Sequence, residues 1–303
     1  SKATEDAFNA WTREHDVSRS PTFESAWIHI GADIEGTKSS RGMPGDAHAV
    51  LNTLVQRPSF LCVSTIEPRK CQEQILQAIE QLWQNGEDVN LVLVGQQGWK
   101  TEALAQRLRS HAESGRRLFW LEGISDEYLD KVYATSTCLI AASLNEGFGL
   151  SLIEAASHSI PIIARDIPIF REVAGEHAEY FHGETAQDLS SALTIWLEKY
   201  RLGQHRPSTG MQWSTWEQST EKLKDCLVGK CHPIRQLLVD ISELVQQDAK
   251  TGIQRVVRNI LKQWLHNPPE GFRLEPVYAT IDQPYRYARR FTAHFLGVPQ
   301  IDL

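Results

Sequence analysis

Between Phe60 and His182, short apolar runs alternate with amphipathic stretches, and few architectures accept that rhythm. The runs Phe60-Leu61-Cys62-Val63, Leu91-Val92-Leu93-Val94 and Cys138-Leu139-Ile140-Ala141 are apolar at consecutive positions rather than at every second one. Such runs mark strands buried on both faces of a parallel sheet. Six strands are expected, near residues 60–65, 90–95, 117–122, 138–143, 161–164 and 179–182, with helices near 71–84, 100–114, 126–134, 149–158, 168–174 and 186–201. Right-handed βα crossovers then give an α/β, doubly wound, Rossmann-like parallel sheet. Ligands of such sheets sit in the crevice beyond the carboxyl ends of the strands.

One segment is suited to that crevice: Asn145-Glu146-Gly147-Phe148-Gly149-Leu150-Ser151-Leu152-Ile153-Glu154. With a strand before it and a helix after it, Glu146 falls on the connecting turn and Glu154 about a turn into the helix. Gly147 and Gly149 let a ligand approach the backbone closely. The helix start near Gly149 offers unpaired N–H groups and a partial positive charge to a phosphate. A carboxylate at a helix start often only complements the helix dipole, and for Glu146 alone that reading is as good as a functional one. Glu154 is harder to dismiss: Leu150, Leu152, Ile153, Ala155 and Ala156 leave it little polar face, and a buried carboxylate is costly unless something satisfies it. The pair therefore predicts ligand binding, the two carboxylates accepting protons from sugar hydroxyls.

The two glutamates around Gly147-Phe148-Gly149 resemble the donor-site motif of the retaining glycosyltransferases of family four, which have the GT-B fold. Further segments follow in that family's order: Phe60 to Lys70, then Leu91 to Gly95, then Leu121 to Asp126, then Pro161 to Pro168 with Glu172. The resemblance implies that Lys70, on an exposed basic loop, contacts the nucleotide diphosphate. Glu146 and Lys70 are the expected catalytic groups. The expected donor-binding set is Arg69, Lys70, Glu146, Gly147, Phe148, Gly149, Leu150 and Glu154, with Glu154 on the ribose. The implied donor is a nucleotide diphosphate hexose, with GDP-mannose the leading expectation, and the acceptor is a glycan or lipid-linked glycan. Neither metal nor cofactor is expected. Three positions depart from the family's pattern: Thr65, where many members carry an Arg that Arg69 would replace; Cys71, where Gly or Asn is commoner; and Arg165, where a small residue is usual, so that altered donor affinity is expected. Two rivals follow from the same residues, a nucleotide-sugar epimerase of the same fold and a nucleotide-binding module without catalysis.

A net charge of −7 and a pI near 5.9 argue against nucleic acid as a partner. The cysteines at 62, 71, 138, 226 and 231 are scattered, which suits a reducing, cytoplasmic compartment. Cys226, Cys231 and His232 lack a second pair at zinc-finger spacing, so no metal site is expected there. No apolar run reaches the ~18 to 20 residues of a membrane span. The resemblance leaves room only for peripheral association with the inner-membrane assembly machinery.

Four regions are expected. Residues 1–57 resemble the hinge segment from an acceptor domain that would precede Ser1. Residues 58–227 form the donor-binding domain, closing with a helix capped by Ser214 or Thr215, and 228–235 form a linker. Residues 236–303 open a second module with two strands and a helix. There Thr251-Gly252-Ile253-Gln254-Arg255 resembles the glycine turn of the family's acceptor half, which singles out Gly252. Tandem modules in this order resemble bacterial mannosyltransferases that build O-antigen polysaccharides of lipopolysaccharide.

Overall fold

Two helices precede the sheet, α1 (Lys2–Glu14) and α2 (Ala47–Leu54), in a computed structural model that describes residues 1–19, 23–33, 42–228, 235–247 and 252–298. The apolar runs then become β1 (Ser59–Val63), β2 (Asn90–Val94), β3 (Leu118–Leu121), β4 (Cys138–Ala141), β5 (Ile162–Arg165) and β6 (Glu179–Phe181). All pair in parallel, in the order β3-β2-β1-β4-β5-β6. Between and after them run α3 (Gln72–Gln84), α4 (Glu102–Ser110), α5 (Asp126–Thr135), α6 (Leu150–Ser157), α7 (Pro168–Ala174) and α8 (Ala186–Arg201). This is the doubly wound α/β sheet that the alternation of runs predicts.

Burial explains why the runs were continuous. Phe60, Leu91 and Leu93 meet Ile75, Ile79 and Leu82 of α3 and Leu193 and Trp196 of α8 on one face. Leu61 and Val92, pointing the other way, are fully buried too. Phe60 and Trp196 meet edge to face, 5.6 Å between centroids. Cys62 and Cys138 lie in this core, and burial pushes the Cys62 thiol up to about 11. Helix α2 falls within the polar lead-in and was not anticipated, although Ala47, Leu51 and Leu54 form a buried stripe at helical spacing.

The chain divides into two compact units, Ser1–Ser18 with Ile34–Trp213, and Arg19–Asp33 with Ser214–Leu303. The second holds α9 (Trp216–Val228), β7 (Arg235–Asp240), α10 (Ser242–Gln246), α11 (Gly252–His266), β8 (Phe272–Thr280), β9 (Gln283–Tyr287) and α12 (Arg289–Leu296). Thr215, rather than Ser214, starts α9. Its Oγ1 accepts from Gln218 N at 3.1 Å while its own N–H donates to Gln218 Oε1 at 3.0 Å, a reciprocal cap. Strands β7 and β8 are parallel around a small core of Ile241, Leu244, Leu261 and Ala288. Strand β9 adds antiparallel to β8. The two expected strands and one helix are thus joined by β9, α10 and α12; β9 is exposed throughout, so no apolar pattern announced it. Most of the expected 228–235 linker, with Cys231, His232 and Thr251, lies outside the described residues.

Cys71 shows why Gly or Asn would be commoner at its position. It caps the start of α3 with φ 56° and ψ 34°, in the left-handed region that a Cβ disfavours. Relief of that strain slightly outweighs the extra entropy of an unfolded glycine. Cys71→Gly is therefore expected to raise unfolding stability by about 0.5 kcal/mol in urea titrations; a clear loss would mean that the thiol's packing outweighs the backbone term.

Candidate active site

The sheet order reverses between β1 and β4, and the crevice of a doubly wound sheet opens at that point. The segment after β1 makes a single 3-10 turn over Pro68–Lys70, and Leu144, in the segment after β4, donates its N–H to the Arg69 carbonyl at 2.9 Å. Across this seam Lys70 Nζ donates to Glu146 Oε1. Arg69 Nη1 reaches Glu146 Oε2 at 3.4 Å, and Ser143 Oγ donates to Glu146 Oε1 at 2.9 Å. Side-chain exposure is 14% for Lys70 and 15% for Glu146 against 45% for Arg69. Lys70 is therefore no exposed basic residue: it is sheltered, and its charge is matched by Glu146. Arg69 is the accessible cation, tethered also to Glu67 Oε2 at 3.0 Å and to the Asn145 carbonyl at 3.2 Å.

The two glycines turn out to differ. A Cβ built on Gly147 would meet nothing within 4 Å, so the space above it is open. Gly149, at φ 95° and ψ 51°, sits where a Cβ would lie 3.1 Å from Phe170 Cε1. Its left-handed backbone and the close approach of α7 both call for glycine here. Phe148 and Leu150 are half-buried beside it, and α6 begins at Leu150 with no capping side chain among the described residues. Its first N–H groups thus remain suited to an anion.

Glu154 is half-buried among Leu152, Ile153, Ala155 and Ala156, but it is not unpaired: Tyr133, on α5, donates its hydroxyl to Glu154 Oε2 at 2.7 Å. Burial, and then the carboxylate, push the Tyr133 phenol well above its ordinary value, so it stays a neutral donor. Tyr133 escaped the sequence reading, though a tyrosine on the buried stripe of an amphipathic helix needs a partner for its hydroxyl.

A cavity of about 510 Å³ opens over Arg69, Asn145, Glu146 and Gly147, with Ile167 and Pro168 along one side. Leu144 and Ile169 also line it, and the first two turns of α1 add Ala3, Thr4 and Ala7. Ser1 Oγ donates to the Gly147 carbonyl at 3.1 Å, and the N–H groups of Lys2 and Ala3 donate to the two oxygens of Glu172 at 2.8 and 2.7 Å. The lead-in thus supplies part of the cavity wall, which its polar composition did not suggest. Arg165 is buried at the end of β5. Its nitrogens donate to the Ala142 carbonyl (2.9 Å), the Gly183 carbonyl and Gln74 Oε1, with the guanidinium 5.0 Å from the centre of the Phe181 ring. All three nitrogens serve the framework. Gly252, first residue of α11 in the second unit, has space for a Cβ.

Residues 46–209 match the family of glycosyl transferases group 1. The serotype-specific mannosyltransferase WbdA of Escherichia coli is 47% identical over 216 residues, covering 71% of this chain and 26% of that protein. The O-antigen chain mannosyltransferase B of Escherichia coli is 32% identical over 120 residues, 38% of this chain and 30% of that protein. The chain thus spans about a quarter of the length of the WbdA relatives. Among solved structures, Anabaena Alr3699/HepE in complex with UDP and glucose is similar in fold, with a TM-score of 0.50 and 16% identity over 61% of this chain and 52% of that one.

The shared acceptor makes Lys70 and Glu146 energetically coupled. Lys70→Ala should cost about 1 to 2 kcal/mol of unfolding free energy, less than a lone buried charge would, because Arg69 and Ser143 still satisfy Glu146. Adding Glu146→Gln should cost less than the sum of the single changes. Urea titrations of the four variants of that cycle would measure both effects, and strict additivity would deny the coupling.

Proposed function

The chain belongs to the glycosyl transferases group 1 family, and from that premise we propose that it carries the donor-binding half of a retaining hexosyltransferase of the family-four type. The observation that carries this reading is the meeting of Lys70 and Arg69, from the β1 side, with Glu146, from the β4 side, at the switch point of the sheet. A sugar diphosphate has the two features that such a cluster matches: an anion for the cations and hydroxyls for the carboxylate. On this reading the diphosphate takes Arg69 and Lys70 and the first N–H groups of α6. Glu146, relieved of its cations, accepts from hydroxyls of the hexose in the cavity beside Gly147. Glu154 accepts from the ribose. Charge growing on the departing diphosphate meets preorganised donors in a partly sheltered site. These residues supply the neutralisation themselves, and the reaction is read as independent of metal and cofactor.

The relatives named as mannosyltransferases support mannose as the hexose and GDP-mannose as the donor, with a growing O-antigen-type glycan or its lipid-linked form as acceptor. The match of this chain to only 26% of WbdA supports the tandem reading: 1–57 as the hinge of a preceding acceptor domain, 58–227 as donor-binding, 228–235 as linker, and 236–303 as the opening of a second module with Gly252 in its glycine turn. Action at the cytoplasmic face of a membrane, in peripheral association with assembly machinery, belongs to the same proposal. Among the described residues no helix is long and apolar enough to cross a membrane.

In the complete protein, mannose transfer from GDP-mannose to a mannan acceptor should proceed with retention and persist in EDTA. Glu146→Gln should lower kcat by roughly 10² or more, since it removes an interaction that positions the reacting sugar. Anomeric NMR of the product, with and without acceptor, checks this. Inversion, or sugar released in altered configuration without any acceptor, would overturn the transferase reading in its retaining form.

A further inference from the structure

Of the two oxygens of Glu154, one is committed. Oε2 accepts the Tyr133 hydroxyl at 2.7 Å, while Oε1 has no hydrogen-bond partner among the described residues. Tyr133 itself has almost no freedom. It is 2% exposed, and its ring stacks on His158, with centroids 5.1 Å apart and planes at 17°. His158 lies between two acceptors, with Nε2 2.9 Å from Asp130 Oδ1 and Nδ1 2.9 Å from the Glu154 carbonyl. The ring that aims at Glu154 is therefore held by a residue whose backbone N–H donates to the Glu154 carbonyl at 3.3 Å.

A phenylalanine would fill the same buried space without the cost of desolvating a hydroxyl. That hydroxyl has one side-chain acceptor, Glu154, and it fixes the carboxylate's rotation and leaves Oε1 as the oxygen on offer. We propose that Tyr133 is a positioning residue for nucleotide recognition, setting Glu154 so that Oε1 faces a ribose hydroxyl. This rests on the reading of Glu154 as the ribose-binding carboxylate. Burial and the carboxylate hold the phenol well above its ordinary value, so it remains the donor in this bond.

The test is Tyr133→Phe in the complete protein, with calorimetric titration by GDP, UDP and ADP and by their 2′-deoxy and 3′-deoxy counterparts. The unaltered protein should prefer a ribonucleotide over one of its deoxy counterparts by roughly tenfold, the worth of a hydrogen bond to a charged group. Tyr133→Phe should weaken the ribonucleotide by a similar factor and the deoxy form little, so the preference collapses, and the kinetic loss should appear in KM rather than kcat. A merely structural role would weaken both nucleotides alike, and that outcome, or an intact preference, overturns the proposal. Glu154→Gln separates the two layers. If it keeps the preference, the ribose reading falls and takes this inference with it; if it abolishes the preference while Tyr133→Phe keeps it, only the positioning role falls.

Discussion

Glu146 faces three donors, and the crevice is organised around their convergence. Lys70 and Arg69 arrive from the end of β1 and Ser143 from the end of β4, so the carboxylate can hold them only if those two strands are neighbours. The sheet makes them neighbours by reversing its order at that point. The energetic logic runs the other way. A carboxylate and an ammonium, each about 15% exposed, would be costly as isolated charges, and the local backbone is arranged so that neither is isolated. Any anion entering the crevice would have to replace a carboxylate as the partner of Lys70, so its binding would be an exchange of anions with little net desolvation. Arg69, three times as exposed as Lys70, is the cation that such a ligand meets first.

Most of the larger unit was legible because its strands are buried on both faces, which turns each into an unbroken apolar run. Strand β2, Asn90–Val94, is buried along its whole length and was placed to within a residue. The same property explains the failures. Strand β9 is exposed at every position, so composition carried no trace of it, and its identity rests on pairing with β8. At the site, the sequence supplied the residues but not their partners. Glu146 and Lys70 lie 76 positions apart, and Tyr133 and Glu154 lie 21 apart. Periodicity along one helix says nothing of what faces it from another element.

The departures from the family's pattern become intelligible as framework. Cys71 occupies a left-handed position that Gly or Asn takes with less strain. Arg165 ties the carbonyls of Ala142 and Gly183 to the side chain of Gln74, joining the ends of β4 and β6 to the first turn of α3. Its desolvation is offset by these acceptors together with the nearby Asp188 carboxylate. It stiffens the base of the segment that carries Arg69 and Lys70. In this chain the arginine therefore bears on Arg69 and Lys70 through its bond to Gln74 of α3.

Glu172 extends the same reasoning to the far side of the cavity. Its two oxygens accept from the first-turn N–H groups of α1, 170 and 169 positions away in the chain, and so offset both the unpaired donors and the positive end of that helix. Ser1 and Thr4, on the same turn, direct their hydroxyls at the Gly147 carbonyl, 3.1 and 3.5 Å away. One end of α1 is thus bonded to α7 and to the glycine loop together. Gly147 follows Glu146 directly, so any shift of α1 acts on the backbone that carries the central carboxylate. The cavity wall and the charge cluster consequently share one mechanical support, the start of α1.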